Sequence, residues 1–319
     1  MKQSIYVLTC TALALLTCSC ATFKEQITEK SAVTVIDDKS VRVNFEEQLA
    51  QLIKSGEYSS LATLRKQLSR QSCELALPPT GSTGISPSQI YEKRLGSTLL
   101  VGKFYRCSNE HCKKIHASIA SGVVIRRDGI VVTNYHVVES GNSRYMGMGA
   151  MTADGTAYLV DEVLAADEAS DVAILRLRSA TDLPAAPLFR DEPVGSPVTI
   201  ISNPVGRFFT LTTGHVSRYY LNSEGGCFMN VTADFAKGSS GAPIFNNRGD
   251  VVGLVANTLS LTTQQVPLQV DEESNALEVA PNRKSAHTIS GQPLFIGNNH
   301  QMTIMNTAPS RAILDLIEE

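Results

Sequence analysis

The sequence has little charge imbalance. Its 28 basic and 31 acidic side chains leave a formal net charge of −3, which gives no reason to expect nucleic acid or an anionic lipid surface as a partner. It also has no apolar run long enough to cross a bilayer: the N-terminal stretch Ile5 to Leu16 is of signal-peptide length and falls short of a spanning helix. No internal repeat is present, and strands do not alternate with helices as in a βαβ fold. Cysteine is sparse, with seven in 319 residues, three of them within the first twenty positions. What remains is the composition of an ordinary globular protein, 43% hydrophobic and 18% charged, on a chain long enough to bury a sizeable core.

The N-terminus is informative. Lys2 supplies a short positive start before the apolar run, which ends in Thr17-Cys18-Ser19-Cys20-Ala21. Small residues around cysteine resemble a bacterial lipoprotein signal, with Cys20 as the lipid-bearing residue because Ser19 is small at the cut; Thr17 departs from the usual Leu, and an ordinary secretory signal is the alternative. Residues 1–20 are therefore expected to be a signal peptide, and the mature chain to lie in the cell envelope or beyond, where disulfides persist. Cys73, Cys107, Cys112 and Cys227 then remain as disulfide candidates, and sequence alone does not choose among their three pairings. Cys107 and Cys112 are close enough to staple a hairpin, leaving Cys73 with Cys227. Zinc is an alternative, because Cys107, His111, Cys112 and His116 are all possible ligands; the compartment favours disulfides, and no metal or other cofactor is expected.

Residues 21–77 read as a polar tether followed by a helical hairpin. Phe45, Leu49, Leu52 and Ile53 share one stripe, and Leu61, Leu64 and Leu68 repeat at helical spacing beyond Gly56. A Pro/Gly/Ser-rich linker occupies 78–94. From residue 95 to 319 the pattern becomes β, with short apolar runs at Thr98, Ser121, Ile130, Val172, Pro197 and Val251 separated by turns such as Asp128-Gly129 and Asp154-Gly155. A strand near Met302 to Met305 and a helix from about Ala308 to Ile317 close the chain.

A hydroxyl is a poor nucleophile at neutral pH and needs a base within hydrogen-bond reach, a carboxylate to orient that base, and N–H donors for the developing oxyanion. Lys237-Gly238-Ser239-Ser240-Gly241-Ala242-Pro243 has the form of a nucleophile loop, Thr133-Asn134-Tyr135-His136 sets a histidine just past an apolar strand, and Ser170-Asp171-Val172 sets an aspartate just before another. The order His, Asp, Ser, with Ala242 where a nucleophile elbow carries glycine, argues against an α/β-hydrolase.

These strings resemble the trypsin-like serine peptidases, closest to the bacterial Deg-type (high-temperature-requirement) branch. Ser121-Gly122, Asp128-Gly129 and the His136, Asp171 and Ser240 boxes occur in the family's order, with Ser202-Asn203-Pro204 and Thr213-Gly214-His215-Val216-Ser217 also similar. The resemblance covers about residues 96–319. It implies an all-β, chymotrypsin-like double β-barrel carrying a short N-terminal helical segment, and an exported serine endopeptidase acting on protein or peptide substrates. His136, Asp171 and Ser240 would be catalytic, Gly238 and Ser240 would form the oxyanion hole, and Asp234, Ala256 and Thr258 would shape the substrate pocket. A buried Asp234 would favour a basic substrate side chain. About 64 residues follow Val255, so the PDZ domain usual in that branch is not expected here. The alternative reading is a latent or catalytically silent protease fold acting as an envelope binding module, with the membrane reached only through the lipid anchor.

Overall fold

Asp37 opens the first helix by accepting hydrogen bonds from the Lys39 and Ser40 amides at 3.0 and 3.2 Å, which caps α1 (Asp38–Leu52). Ser60 does the same for α2 (Leu61–Gln67) through the Thr63 amide. In the computed structural model the described residues are 35–262 and 300–318, apart from positions 110, 111, 113, 140 and 142, together with four short strands between 268 and 293. The expected signal segment, Cys20 and His111 lie outside the described residues. The residues from Asp37 onward form one unit.

The helical pair is part of the core of that unit. Phe45 and Leu49 are fully buried, and Leu61, Leu64 and Leu68 join the first barrel's apolar cluster. Burying each such side chain stabilises by roughly 1.5–3 kcal/mol. Leu49 fills a notch at Gly149, where an added Cβ would sit 2.4 Å from its Cδ2. The expected stripe is narrower than its sequence spacing suggests, since Leu52 is exposed and Ile53 half-buried. Polar side chains of the helices complete sheet hydrogen bonds: Gln48 accepts from the Ala157 amide at 3.0 Å, and Gln67 from Val163 at 2.8 Å.

After β1 (Cys73–Glu74) the expected linker is docked rather than free. The Gly81 amide donates to Asp250 Oδ1 and the Ile85 amide to the Asn247 carbonyl. Its end is a helix, α3 (Pro87–Arg94), with a full capping box between Ser86 and Gln89 and proline in its first turn. Arg94, buried, donates to the carbonyls of Gly249 and Ala185.

The first barrel comprises β2 (Thr98–Arg106), β4 (Ala120–Arg126), β5 (Ile130–Thr133), β6 (Gly147–Met151), β7 (Ala157–Asp167) and β8 (Val172–Leu177), with β3 (Ile115–Ala117) a hairpin on the end of β2. The order is β2-β4-β5-β8-β7-β6, and β6 returns to β2 to close it. A single helical turn, α4 (Tyr135–Glu139), follows β5. The second barrel is built from β9 (Pro197–Ser202), β10 (Thr210–Leu221), β11 (Cys227–Val231), β12 (Pro243–Phe245) and β13 (Val251–Thr262), closed by β18 (His300–Pro309) between β11 and β13. Two small hairpins, β14 (Leu268–Val270) with β15 (Leu277–Val279) and β16 (Thr288–Ile289) with β17 (Gln292–Pro293), lie between β13 and β18.

The architecture is thus two six-stranded antiparallel β-barrels of the chymotrypsin type with a few short helices, as expected. The closing helix is shorter than expected. Ala308 and Pro309 remain in β18, α5 spans Ser310–Leu314, and Ile317 has already joined β19 (Ile317–Glu318) alongside β1.

Candidate active site

His136 and Asp171 leave the first barrel at neighbouring strand ends. Thr133, the last residue of β5, pairs across the ladder with Ala173 in β8, so the segments following Thr133 and preceding Val172 are adjacent. Asp167 folds the turn before β8 by accepting from the Ala169 and Ser170 amides at 3.3 and 3.1 Å. Asp171 then adopts a left-handed conformation, φ +56, which aspartate tolerates better than most residues. Asn134, fully buried, donates from Nδ2 to the Asp171 carbonyl at 2.9 Å.

The Asp171 carboxylate is thereby aimed at His136. Oδ1 accepts from the His136 amide at 3.0 Å, and the His136 Nδ1 lies 3.0 and 2.8 Å from Oδ1 and Oδ2. A carboxylate only accepts, so Nδ1 must carry a proton. A neutral imidazole then leaves Nε2 as a free base. The His136 side chain is 42% exposed and that of Asp171 only 16%, so the imidazole presents its outer edge to the cleft while the carboxylate lies behind it.

Ser240 comes from the second barrel on a loop shaped by two glycines. Gly238 has φ +102 and Gly241 φ +82, both in the region glycine occupies without strain. Space excludes a side chain as well: a Cβ at Gly238 would meet the Asn203 carbonyl at 2.5 Å, and one at Gly241 would meet Thr133 Oγ1 and the Ser121 carbonyl at 2.2 and 2.3 Å. The loop is pinned to the first barrel by buried Ser121, whose amide donates to the Ser240 carbonyl (2.8 Å) and whose Oγ donates to the Gly238 carbonyl (2.9 Å). Asn203, also buried, donates to Ser121 Oγ at 3.0 Å and to the Leu99 carbonyl at 3.2 Å.

Around the serine, the amides of Ser239, Gly241 and Ala242 have backbone acceptors, whereas among the described residues those of Gly238 and Ser240 have none. Ser240 Oγ donates to the Ala256 carbonyl at 3.2 Å, and among the described residues no hydrogen bond joins it to the His136 ring. His136, Gly238, Lys237 and Ser240 nevertheless line one cleft of about 250 Å³, together with Lys103 and Tyr145. The apolar pattern of β2 did not mark Lys103 as a cleft residue. Its burial lowers the ammonium from 10.5 to about 8, with repulsion by Arg65 adding and attraction to Glu139 opposing. Ser121 and Asn203 were visible as motif positions; the pinning became legible only when the two barrels met.

The other expected site residues are dispersed. Ala256 is buried beside Ser240, and Thr258 is exposed on β13. Asp234 is exposed rather than buried, and lines a separate groove with Arg218, Met302 and Met305. None of the four disulfide candidates, Cys73, Cys107, Cys112 and Cys227, is bonded to another cysteine in this structure. Cys73 belongs to the β1–β19 pair and Cys227 opens β11 in the second barrel. Cys107 and Cys112 instead cluster with His116. Hydrogen bonding from His116, then from the Lys114 amide and Cys107, lowers the Cys112 thiol to about 7.

A family model described as a trypsin-like peptidase domain matches residues 120–254, the stretch holding His136, Asp171 and Ser240. The magnetosome formation protease MamE of Paramagnetospirillum magneticum is 34% identical over 144 residues, 43% of this chain and 20% of that protein. A probable periplasmic serine endoprotease, DegP-like, of Hahella chejuensis is 34% identical over 145 residues, 43% of this chain and 29% of its own. The serine endoprotease DegS of Salmonella typhimurium is 27% identical over 195 residues, 58% of this chain and 53% of its own. The chain thus spans between a fifth and about half the length of these relatives. Residues 120–254 thus match a trypsin-like peptidase domain, and the relatives found for this chain include serine proteases of the DegP and DegS kind.

Proposed function

We propose that this chain is an exported serine endopeptidase in which Ser240, His136 and Asp171 act as the catalytic triad. The observation that carries the reading is the His136–Asp171 pair, which fixes the imidazole tautomer with Nε2 available inside the cleft that holds Ser240. In the reaction Ser240 Oγ attacks the scissile carbonyl carbon while His136 Nε2 takes its proton. The Gly238 and Ser240 amides donate to the resulting oxyanion, Asp171 stabilises the imidazolium, and the proton then passes to the departing amine. Water hydrolyses the acyl-enzyme by the same route. Ser240 must first leave the Ala256 carbonyl, a rotation about its side-chain bond.

That bond to Ala256 favours a second reading, a latent protease whose serine is aligned only when substrate or a partner occupies the cleft. The DegP-like relatives carry the word periplasmic in their names, which supports placement outside the cytoplasm; lipid attachment at Cys20 extends that reading. Ala256, buried beside Ser240, and Thr258 remain proposed determinants of substrate preference, whereas Asp234, exposed in a separate groove, is not placed to act as the base of a pocket beside Ser240.

Incubating the purified chain with an unfolded protein such as reduced casein, and sequencing the products by mass spectrometry, tests the activity. Internal cleavages that vanish in Ser240→Ala support an endopeptidase; a substrate left whole by the folded chain excludes autonomous peptidase activity under those conditions and favours the latent reading.

A further inference from the structure

We propose that Cys107, Cys112 and His116 form a binding site for a divalent ion of the zinc class, with Glu46 orienting the histidine. The site stands apart from the Ser240 chemistry, and its test does not depend on that activity.

Strand register assembles the cluster. Tyr105 lies directly opposite His116 in the β2–β3 hairpin, and the ladder continues past β2 through the Cys107 amide to the Lys114 carbonyl at 3.0 Å. Residues two apart on a strand share a face, so Cys107 and His116 are diagonal neighbours on one side of the hairpin. The Cys112 amide donates to the Asn109 carbonyl at 2.9 Å, and the Cys112 thiol lies beside Cys107 and His116. The two sulfurs and a ring nitrogen lie within 4.8 Å of one another. Tetrahedral zinc with sulfur and nitrogen ligands needs donor atoms roughly 3.5–3.8 Å apart, a closure within reach of side-chain rotation.

The histidine is already arranged as a ligand. Its Nε2 faces Cys112 Sγ at 3.5 Å, while Nδ1 faces Glu46 Oε2 at 3.3 Å. A carboxylate on one imidazole nitrogen and a metal on the other is the usual way proteins fix the tautomer of a ligating histidine. Glu46 is held by its position on α1 and by accepting from the Ala117 amide at 3.3 Å. The thiols are unbonded, as ligation requires. Three protein donors leave a fourth position for solvent or an incoming group. The ion would clasp α1 to the hairpin beside the cleft, because Ser118, which lines the cleft, follows Ala117 and donates from Oγ to the Lys103 carbonyl.

The test is titration of the reduced, metal-stripped chain with Co²⁺ alone, followed by absorption. The expected result is a thiolate-to-cobalt charge-transfer band with intense visible bands, saturating at a single equivalent and displaced by Zn²⁺. Cys107→Ser, Cys112→Ser and His116→Ala each abolish it, with folding checked by circular dichroism. Glu46→Gln, which keeps shape and ligands, weakens binding by about 10–100-fold. A folded chain with no thiolate band overturns the proposal, as does full affinity in His116→Ala. So does a Cys107–Cys112 disulfide in chain isolated without reductant.

Discussion

Ser121 in the first barrel and Ser240 in the second are joined through their backbones, the Ser121 amide donating to the Ser240 carbonyl at 2.8 Å. The Ser121 hydroxyl adds a second tie to the same loop at Gly238. The candidate nucleophile is therefore positioned by the opposite barrel, the one that carries His136 and Asp171. The contacts that join the two barrels here are also the contacts that hold the Ser240 loop.

Replacing the hydroxyl separates those two ties. Ser121→Ala keeps the amide bond but leaves the Gly238 carbonyl without its donor and Asn203 Nδ2 without one acceptor. A lost buried hydrogen bond with an unsatisfied partner costs about 1–3 kcal/mol. Chemical denaturation should show a loss in that range, and turnover should fall further than the unfolded fraction explains. Wild-type turnover in a variant of wild-type stability would show that Ser121 does not position the loop.

Asp171→Asn leaves the shape of the first-barrel corner and removes the acceptor that fixes the His136 tautomer. An asparagine amide facing Nδ1 stabilises the tautomer with Nε2 protonated, which cannot act as a base. Peptide hydrolysis should drop by about 10³–10⁴-fold with near-normal stability. A drop of less than tenfold would remove Asp171 from the proposed mechanism.

Lys103 predicts a pH-dependent stability. Burial lowers its folded-state value from 10.5 to about 8, so the unfolded chain binds more protons than the folded one between those two values. Stability therefore rises as pH increases from about 8 to 10.5 on this group's account, and below 8 its desolvated charge is a constant penalty. Lys103→Met should raise stability by about 1–3 kcal/mol at pH 7, with the advantage shrinking toward pH 10. An unchanged advantage across that range would show that packing, not titration, sets the difference.

Much of this architecture was legible in the amino-acid order because the strands are short apolar runs bounded by Gly and Asp turns. His136, Asp171 and Ser240 were visible because each sits at a strand boundary in a distinctive string. Barrel closure is not legible in the sequence, since the pairing of β6 with β2 and of β18 with β11 and β13 joins segments far apart in the chain. Helix α3 lies in a stretch whose Pro/Gly/Ser density reads as linker, although its Ser86–Gln89 capping box is written in the sequence. The closing helix stops short of what its helical period suggests, because Ile317 pairs with Cys73, a partner with no local signal. Cysteine spacing suggested a Cys107–Cys112 staple, where three-dimensional register adds His116 and Glu46 to the same face.

Activation of Ser240 as a nucleophile is read out by a fluorophosphonate probe, which reacts only with a serine whose proton a neighbouring base removes. The purified chain should label at a single serine, located to Ser240 by peptide mass spectrometry, with labelling lost in Ser240→Ala and His136→Ala. A folded chain that takes no label, or one that labels equally well without His136, would contradict the account.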